Sequence, residues 1–262
     1  MRRSTLRTWF LDPATRMNPN LNFAQGIPCK TDGRGIGIIE FSYTFTQVLD
    51  AVAILSAGAP GWSRADSAGL KSWSGNFLTW LRTSQNGRDE AAQPNNHGTF
   101  YDMLTAGIAL YTGQKALARQ IVQGARSSRI DKQIDGNGSQ PQEAIRTRSY
   151  HYFTFNLVAM TRLAAIGKHV GVDLWAYRTP AGGSLFKAVD FLIPAATGGV
   201  SHWPYQELVF TQYAALDSLH AAADAGDRAA RAALPHVPVP PGGDLYPVRP
   251  AAEQLDDISL TP

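Results

Sequence analysis

The chain is poor in the residues that build redox and metal chemistry. Cys29 is the single cysteine among 262 residues, so neither an internal disulfide nor a thiolate metal cage can form within it. Six histidines lie dispersed along the chain without ligand spacing, and no metal site or other cofactor is expected. No Gly-x-Ser-x-Gly, Walker loop or His-Glu-x-x-His occurs, which removes the common hydrolase, nucleotide and zinc-protease signatures. Charge of one sign is scarce too. The 24 Lys and Arg against 21 Asp and Glu leave +3, and these residues are scattered rather than striped. That balance suits an anionic ligand but not a nucleic-acid partner. No run approaches the roughly 20 apolar residues that cross a bilayer, so no membrane partner is expected. Residues 1–10 lack an apolar stretch followed by a small-residue cleavage site, so no secretory signal is read there. Sustained two-residue alternation is absent as well, and strands should be few and short.

What is present is helical periodicity. Phe45, Val48, Leu49, Val52 and Leu55 form one stripe. Leu70, Trp73, Phe77, Trp80 and Leu81 form a second, with Asp66 or Ser67 as its N-cap. Leu104, Ile108 and Tyr111 lead to Gly113 as the residue that ends a helix. Leu117, Ile121, Val122 and Ala125 then make its hairpin partner. Phe153, Leu157, Met160 and Ala164 predict a helix stopped by Gly167. Leu185, Ala188, Val189 and Leu192 predict another, capped by Ser184 and closing near Pro194. Tyr205, Leu208, Val209, Leu216 and Leu219 outline a long helix ending near Gly226. Long polar, Gly-rich connections occupy residues 12–40 and 131–148, and loops of that length usually carry function. The pattern predicts an all-α fold, an (α/α) toroid or incomplete α/α barrel whose loops build a cleft. It spans residues 1–233, followed by a Pro-rich tail at 234–262.

Three polar clusters stand out. In Gln93-Pro94-Asn95-Asn96-His97-Gly98-Thr99, Gly98 or Thr99 should begin a helix, placing Asn96 and His97 where the backbone favours an anion. The plain alternative is that the asparagines are turn and cap residues. The second cluster runs from Gln140 to Tyr152 and includes Glu143, Arg146, Arg148, Tyr150 and His151. Arg148 and Tyr152 share a helix face, whereas Arg146 must lie in the loop or on another face; equally, the tyrosines could be packing aromatics and the arginines solvated. The third joins Asn18, Asn20, Asn22 and Gln25 with Arg34, a polar ladder suited to a sugar-binding wall or simply to turns. Glycines at 33, 35 and 37 do not make a nucleotide fingerprint, since no strand precedes them. Trp175, Trp203 and Tyr205 are of the type that stacks on sugar rings, though core aromatics are commoner.

In order, these segments resemble the alginate lyase domain superfamily of polysaccharide lyases, including its glucuronan-cleaving relatives. The matching motifs are Trp-Phe-Leu-Asp-Pro-Ala-Thr-Arg-Met-Asn-Pro-Asn-Leu at 9–21, Gly-Arg-Gly-Ile-Gly-Ile-Ile-Glu at 33–40 and Asn-His-Gly-Thr-Phe-Tyr-Asp at 96–102. Asp-Gly-Asn-Gly-Ser-Gln-Pro follows at 135–141, then Arg146-Thr147, His151-Tyr152 and Gly-Val-Asp-Leu-Trp at 171–175. The resemblance covers residues 6–210. It implies the toroid and cleavage of a uronic-acid polymer by β-elimination, without a metal, on an anionic polysaccharide substrate. It implies Asn96 and Arg146 as the groups that neutralise the uronate carboxylate and Tyr152 as acid, and base as well. His97 would be the base for the opposite C5 configuration or a partner on the carboxylate side. Asn20, Asn22, Gln25, Arg34, Asn95, Arg148, His151 and Trp203 are the substrate-binding candidates. Relatives carry helices before the Trp-Phe-Leu-Asp-Pro motif, so the chain is expected to be N-terminally shortened. The spacing of Arg146 to Tyr152 also leaves Arg148 as an alternative carboxylate clamp. Relatives are exported, which makes periplasmic or secreted location the expectation despite the missing signal. Two further readings stay open: a carbohydrate-binding remnant without turnover, and a glycoside hydrolase using carboxylates such as Asp102, Glu143 and Asp173.

Overall fold

The computed structural model describes residues 3–244 and 246. Within them the apolar stripes become helices, and β-pairing is confined to two isolated antiparallel bridges, Ile27 with Thr31 and Arg148 with Glu207. Helix α1 (Arg3–Phe10) buries Leu6 and Phe10, and α2 (Ile38–Ser56) follows the long loop. The next four are α3 (Arg64–Thr83), α4 (Gln85–Ala91), α5 (Asn96–Tyr111) and α6 (Lys115–Ala125). Arg126–Ile130 forms a π-helical turn leading to the short α7 (Asp131–Gln133). Then come α8 (Pro141–Ala144), α9 (Ser149–His169), α10 (Leu185–Asp190), α11 (Ile193–Gly198), α12 (Leu216–Asp224) and α13 (Arg228–Ala233).

Helix α5 lies at the centre, packed against α2, α6 and α9. A helix that is apolar on most faces has no side to give to water, and Phe100, Leu104, Ala106, Ile108 and Ala109 of α5 are fully buried. Gly113, at φ +83°, turns the chain straight into α6, as its position after Tyr111 predicts. On the flank, Phe10 of α1 meets Trp73 edge-on at 4.8 Å, and Phe45 and Phe77 complete the aromatic layer. The same helix is held electrostatically, since Arg7 donates to Asp66 from Nε at 2.8 Å and Nη2 at 2.6 Å.

Several boundaries differ from the sequence expectation. The N-cap of α3 is Ser63, and Asp66 sits at the third helical position in a reciprocal capping box, so neither Asp66 nor Ser67 is the cap. Gly167 does not stop α9; the helix continues to His169 and reverses at Gly171, φ +68°. Pro194 opens α11 instead of closing α10, as proline does in a first turn. The long helix expected from Tyr205 to Leu219 is not formed. Residues 203–211 run as an extended strap, and α12 starts only at Leu216. In the strap the backbone bonds Ser149 N–H to Gln206 O at 3.2 Å and Leu208 N–H to Thr147 O at 3.1 Å, leaving Leu208 and Val209 exposed. Gly35–Ser56 is, contrary to expectation, long and apolar enough to cross a membrane by length and composition alone. In the fold, Phe45, Val48, Leu49 and Val52 of this segment are buried in the protein core, and Asp50 pairs with Arg162. Of the Pro-rich tail, residues 234–244 and 246 are described, with His220 Nε2 2.6 Å from Asp244; residue 245 and residues 247–262 lie outside the described set.

Asp190 ends α10 opposite Asp227, the N-cap of α13. Its carboxyl is pushed up to about 6, first by burial and then by the Asp227 charge. A carboxyl raised in the folded state from 3.8 to about 6 binds more protons folded than unfolded, so stability falls as pH rises between those values and stays lower above them. Asp190→Asn should therefore stabilise the protein at pH 7 by about 1 kcal/mol, allowing for solvent screening, and flatten the pH dependence in that window. Chemical denaturation of both forms between pH 4 and 7 checks this; parallel curves would contradict it.

Candidate active site

The first turn of α5 carries the most constrained polar residues. Asn95 is the N-cap, its side chain accepting from the His97 N–H at 3.3 Å, and the helix starts at Asn96 rather than at Gly98 or Thr99. A buried glutamate holds each of the next two residues. Glu143 of α8, 1% exposed, accepts from the Asn96 backbone N–H at 2.8 Å and from Asn96 Nδ2, which is 2.9 Å from both carboxylate oxygens. Glu90 of α4, fully buried, lies 3.0 Å from His97 Nδ1. With that carboxylate accepting from Nδ1–H, Nε2 is the histidine nitrogen left to take a proton. Glu143 sits at the positive end of α5, which offsets part of the cost of burying it. Burial pushes its carboxyl up, while the Asn96 donors and the nearby Arg146 pull it down.

Arg146 follows α8 in the loop, and its guanidinium lies over the Tyr152 ring at 3.8 Å. Tyr152 belongs to the first turn of α9, where His151 meets it edge-on at 5.1 Å and stacks on Phe155 at 5.7 Å. Phe155 in turn packs against Phe100 of α5, 4.2 Å between centroids. Burial, then the Arg148 and Arg146 charges, lower the His151 pKa, with Glu207 opposing them. Glu207 reaches over from the strap and accepts from the His151 N–H at 3.1 Å. Asn96 and His97 thus share the first turn of α5, Arg146 covers Tyr152 at the start of α9, and α5 packs against α9.

Behind the turn, Arg129 projects from the π-helical turn and donates to Gln93 O, Ala91 O and Asp102 at 2.8–2.9 Å. Such turns within helices are frequent at functional sites. A buried amide ladder ties the second loop down: Gln133 donates to Asn95 O at 3.2 Å, and Asn156 donates to Gln133 and Gln140 at 2.9 and 2.7 Å. In the Asp135–Ser139 turn, Gly138 has φ +93°, and a Cβ there would lie 2.1 Å from Lys187 O.

The other candidates occupy different places. Asn20 and Arg34 brace the long loop internally, and Asn22 and Gln25 tie it to neighbouring helices. Asn22 accepts from Trp80 Nε1 at 2.9 Å, Arg34 donates to Gln25, and Gln25 donates to Glu40 at 2.9 Å. No hydrogen bond among the described residues joins this set to Asn96, His97, Arg146 or Tyr152. Its link is indirect: Gly35 packs on Asn86 and Asp89 of α4, which carries Glu90. Arg148 flanks the site half-buried, its Nε without an acceptor among the described residues. Arg146, not Arg148, covers Tyr152. Trp203 corrects the expectation of a stacking platform: it is 6% exposed, donates to Ser149 Oγ at 2.7 Å and is walled in by Tyr150 and Phe153. Trp175, also 6% exposed, is a core residue too.

An all-α fold of the α/α toroid class thus gathers these polar residues where α5, α8 and α9 begin. The comparisons agree: the sequence model of the family described as Alginate lyase matches residues 3–203. The chain belongs to the alginate lyase family. It is similar to the crystal structure of an alginate lyase from Bacteroides ovatus, with TM-score 0.84 and 31% identity. That match covers 98% of this chain and 66% of the other, so the chain spans just under two thirds of that lyase's length. None of the curated proteins matches.

Gly98 tests how tightly the turn is built. A Cβ there would lie 2.2 Å from Arg129 Nη1 and 2.3 Å from Gln93 O, so Gly98→Ala must displace the guanidinium or the backbone. The variant should lose about 1–3 kcal/mol of stability, as overpacked cores do. Thermal unfolding checks this, and an unchanged midpoint would contradict the geometry.

Proposed function

We propose that the chain is a polysaccharide lyase that cleaves a uronic-acid polymer, such as glucuronan or alginate, by β-elimination. One observation carries this reading: Asn96 and His97 open α5, each held by a buried glutamate, and Arg146, three residues beyond one of these glutamates, covers Tyr152.

The C5 proton of a uronate is only weakly acidic, because the carboxylate beside it resists further negative charge. Arg146 and Asn96 answer that difficulty by neutralising the carboxylate and stabilising the enediolate-like transition state. A base then removes the C5 proton, the electrons form the C4–C5 double bond, and the C4–O4 bond breaks. O4 leaves with a proton from an acid. Tyr152 serves as the acid, and as the base when the C5 proton lies on its side. His97, through Nε2, is the base for the opposite configuration. Arg148 and His151 flank this centre and are proposed to contact the neighbouring sugar. Asn95 shapes the turn. Asn20, Asn22, Gln25 and Arg34 are proposed to line the outer wall.

The carboxylates favour elimination over hydrolysis. A glycosidase needs two that flank the scissile bond, whereas Asp102 is bound by Arg129, Glu143 by Asn96, and Asp173 accepts the N–H groups of Trp175 and Ala176.

Incubation with uronate polymers should give the ultraviolet absorbance of a new C4–C5 double bond. Tyr152→Phe should lower the rate by about 10²–10⁴-fold, as loss of a general acid does. Arg146→Ala should do so by about 10²–10³-fold. Saturated products, or a fully active Tyr152→Phe variant, would contradict the mechanism. Binding of the polymer without unsaturated product would replace the lyase by a carbohydrate-binding protein.

A further inference from the structure

We propose that Glu143 is a positioning residue for the elimination: its carboxylate holds the side-chain amide of Asn96 in the orientation that serves the uronate carboxylate. The inference rests on the lyase reading and deepens it. Three contacts reach Glu143 from Asn96, one from the backbone N–H at 2.8 Å and two from Nδ2 at 2.9 Å. Both residues are 1% exposed, so water does not compete for these bonds. An amide nitrogen carries two hydrogens. Because Nδ2 is equidistant from the two oxygens, one bifurcated N–H satisfies both contacts and leaves the second uncommitted to Glu143. The backbone bond fixes the carboxylate, and the carboxylate fixes the amide plane. Glu143 also joins the two halves of the site, since Asn96 opens α5 while Arg146 lies three residues beyond Glu143 in the loop.

A glutamine at 143 keeps the shape but sets an NH₂ group against Nδ2, donor to donor, and the amide of Asn96 must turn. Glu143→Gln should therefore reduce kcat by about 10²-fold, the effect of a misplaced group, while changing KM far less. The effects of Asn96→Ala and Glu143→Gln should not add, because Glu143 acts through Asn96. Independently of turnover, the side-chain amide resonance of Asn96, identified by its loss in Asn96→Asp, should shift in Glu143→Gln.

The experiment measures all three on purified proteins, with thermal unfolding of each variant. Glu143→Gln combined with Asn96→Asp, which exchanges donor and acceptor, serves as the folding control. A shifted amide with non-additive kcat effects supports the proposal. An unmoved amide resonance, or effects on kcat that add, overturns it. If the unaltered protein yields no unsaturated product from any uronate polymer, the lyase reading fails, and the amide resonance alone decides whether Glu143 holds Asn96.

Discussion

Two carboxylates are buried beneath the first turn of α5, and the site around them depends on how their burial is compensated. An isolated charge in the interior is costly, and the cost falls only when donors surround it. Glu143 finds them in the Asn96 backbone and amide, at the positive end of a helix; Glu90 finds one in His97. The compensation works in both directions. The groups that make the carboxylates tolerable are themselves fixed by them, so Asn96 and His97 are oriented before any substrate arrives. Preorganised donors of this kind need no rearrangement when charge develops in a transition state.

The rest of the fold keeps that turn in place. Helix α5 has no freedom to shift, being enclosed by α2, α6 and α9. Arg129 anchors the backbone leading into it, and Gly98 is there because any larger residue would occupy the space of the guanidinium. Asn156 on α9 grips Gln133 and Gln140, which brackets the loop that delivers Glu143 and Arg146. The strap at 203–211 then pairs with residues 147–149 and caps α9 through Glu207. Each brace joins elements far apart in sequence, so the site forms only when the whole helical array has assembled.

That distance explains what could be read from the chain alone. Helical periodicity placed the main helices, and Ser184 and Gly113 act as the cap and stop their positions suggest. Asn96, His97, Arg146 and Tyr152 were visible as an ordered set of motifs. Glu90 was not, because a glutamate in a short polar helix looks like any solvated residue until His97 is brought against it seven positions later. Gln133 and Asn156 were missed for the same reason; nothing local marks an amide as buried. The strap was misread because Leu208 and Val209 sit at helical spacing, yet the backbone there is drawn into pairing with Thr147 and Ser149. Trp203 was misjudged in the other direction, since an indole that packs in a core and one that stacks on a sugar carry the same sequence signature.

The family assignment rests on residues 3–203, which contain all four proposed catalytic groups and both supporting glutamates. The central claim is that these groups converge on one uronate carboxylate and the C5 proton beside it. The most direct measurement is a crystal structure of the Tyr152→Phe protein with a uronate oligosaccharide bound. The account predicts a carboxylate against Arg146 and Asn96, with C5 facing position 152 or His97 Nε2. An oligosaccharide whose carboxylates all lie away from Arg146 and Asn96 would contradict it.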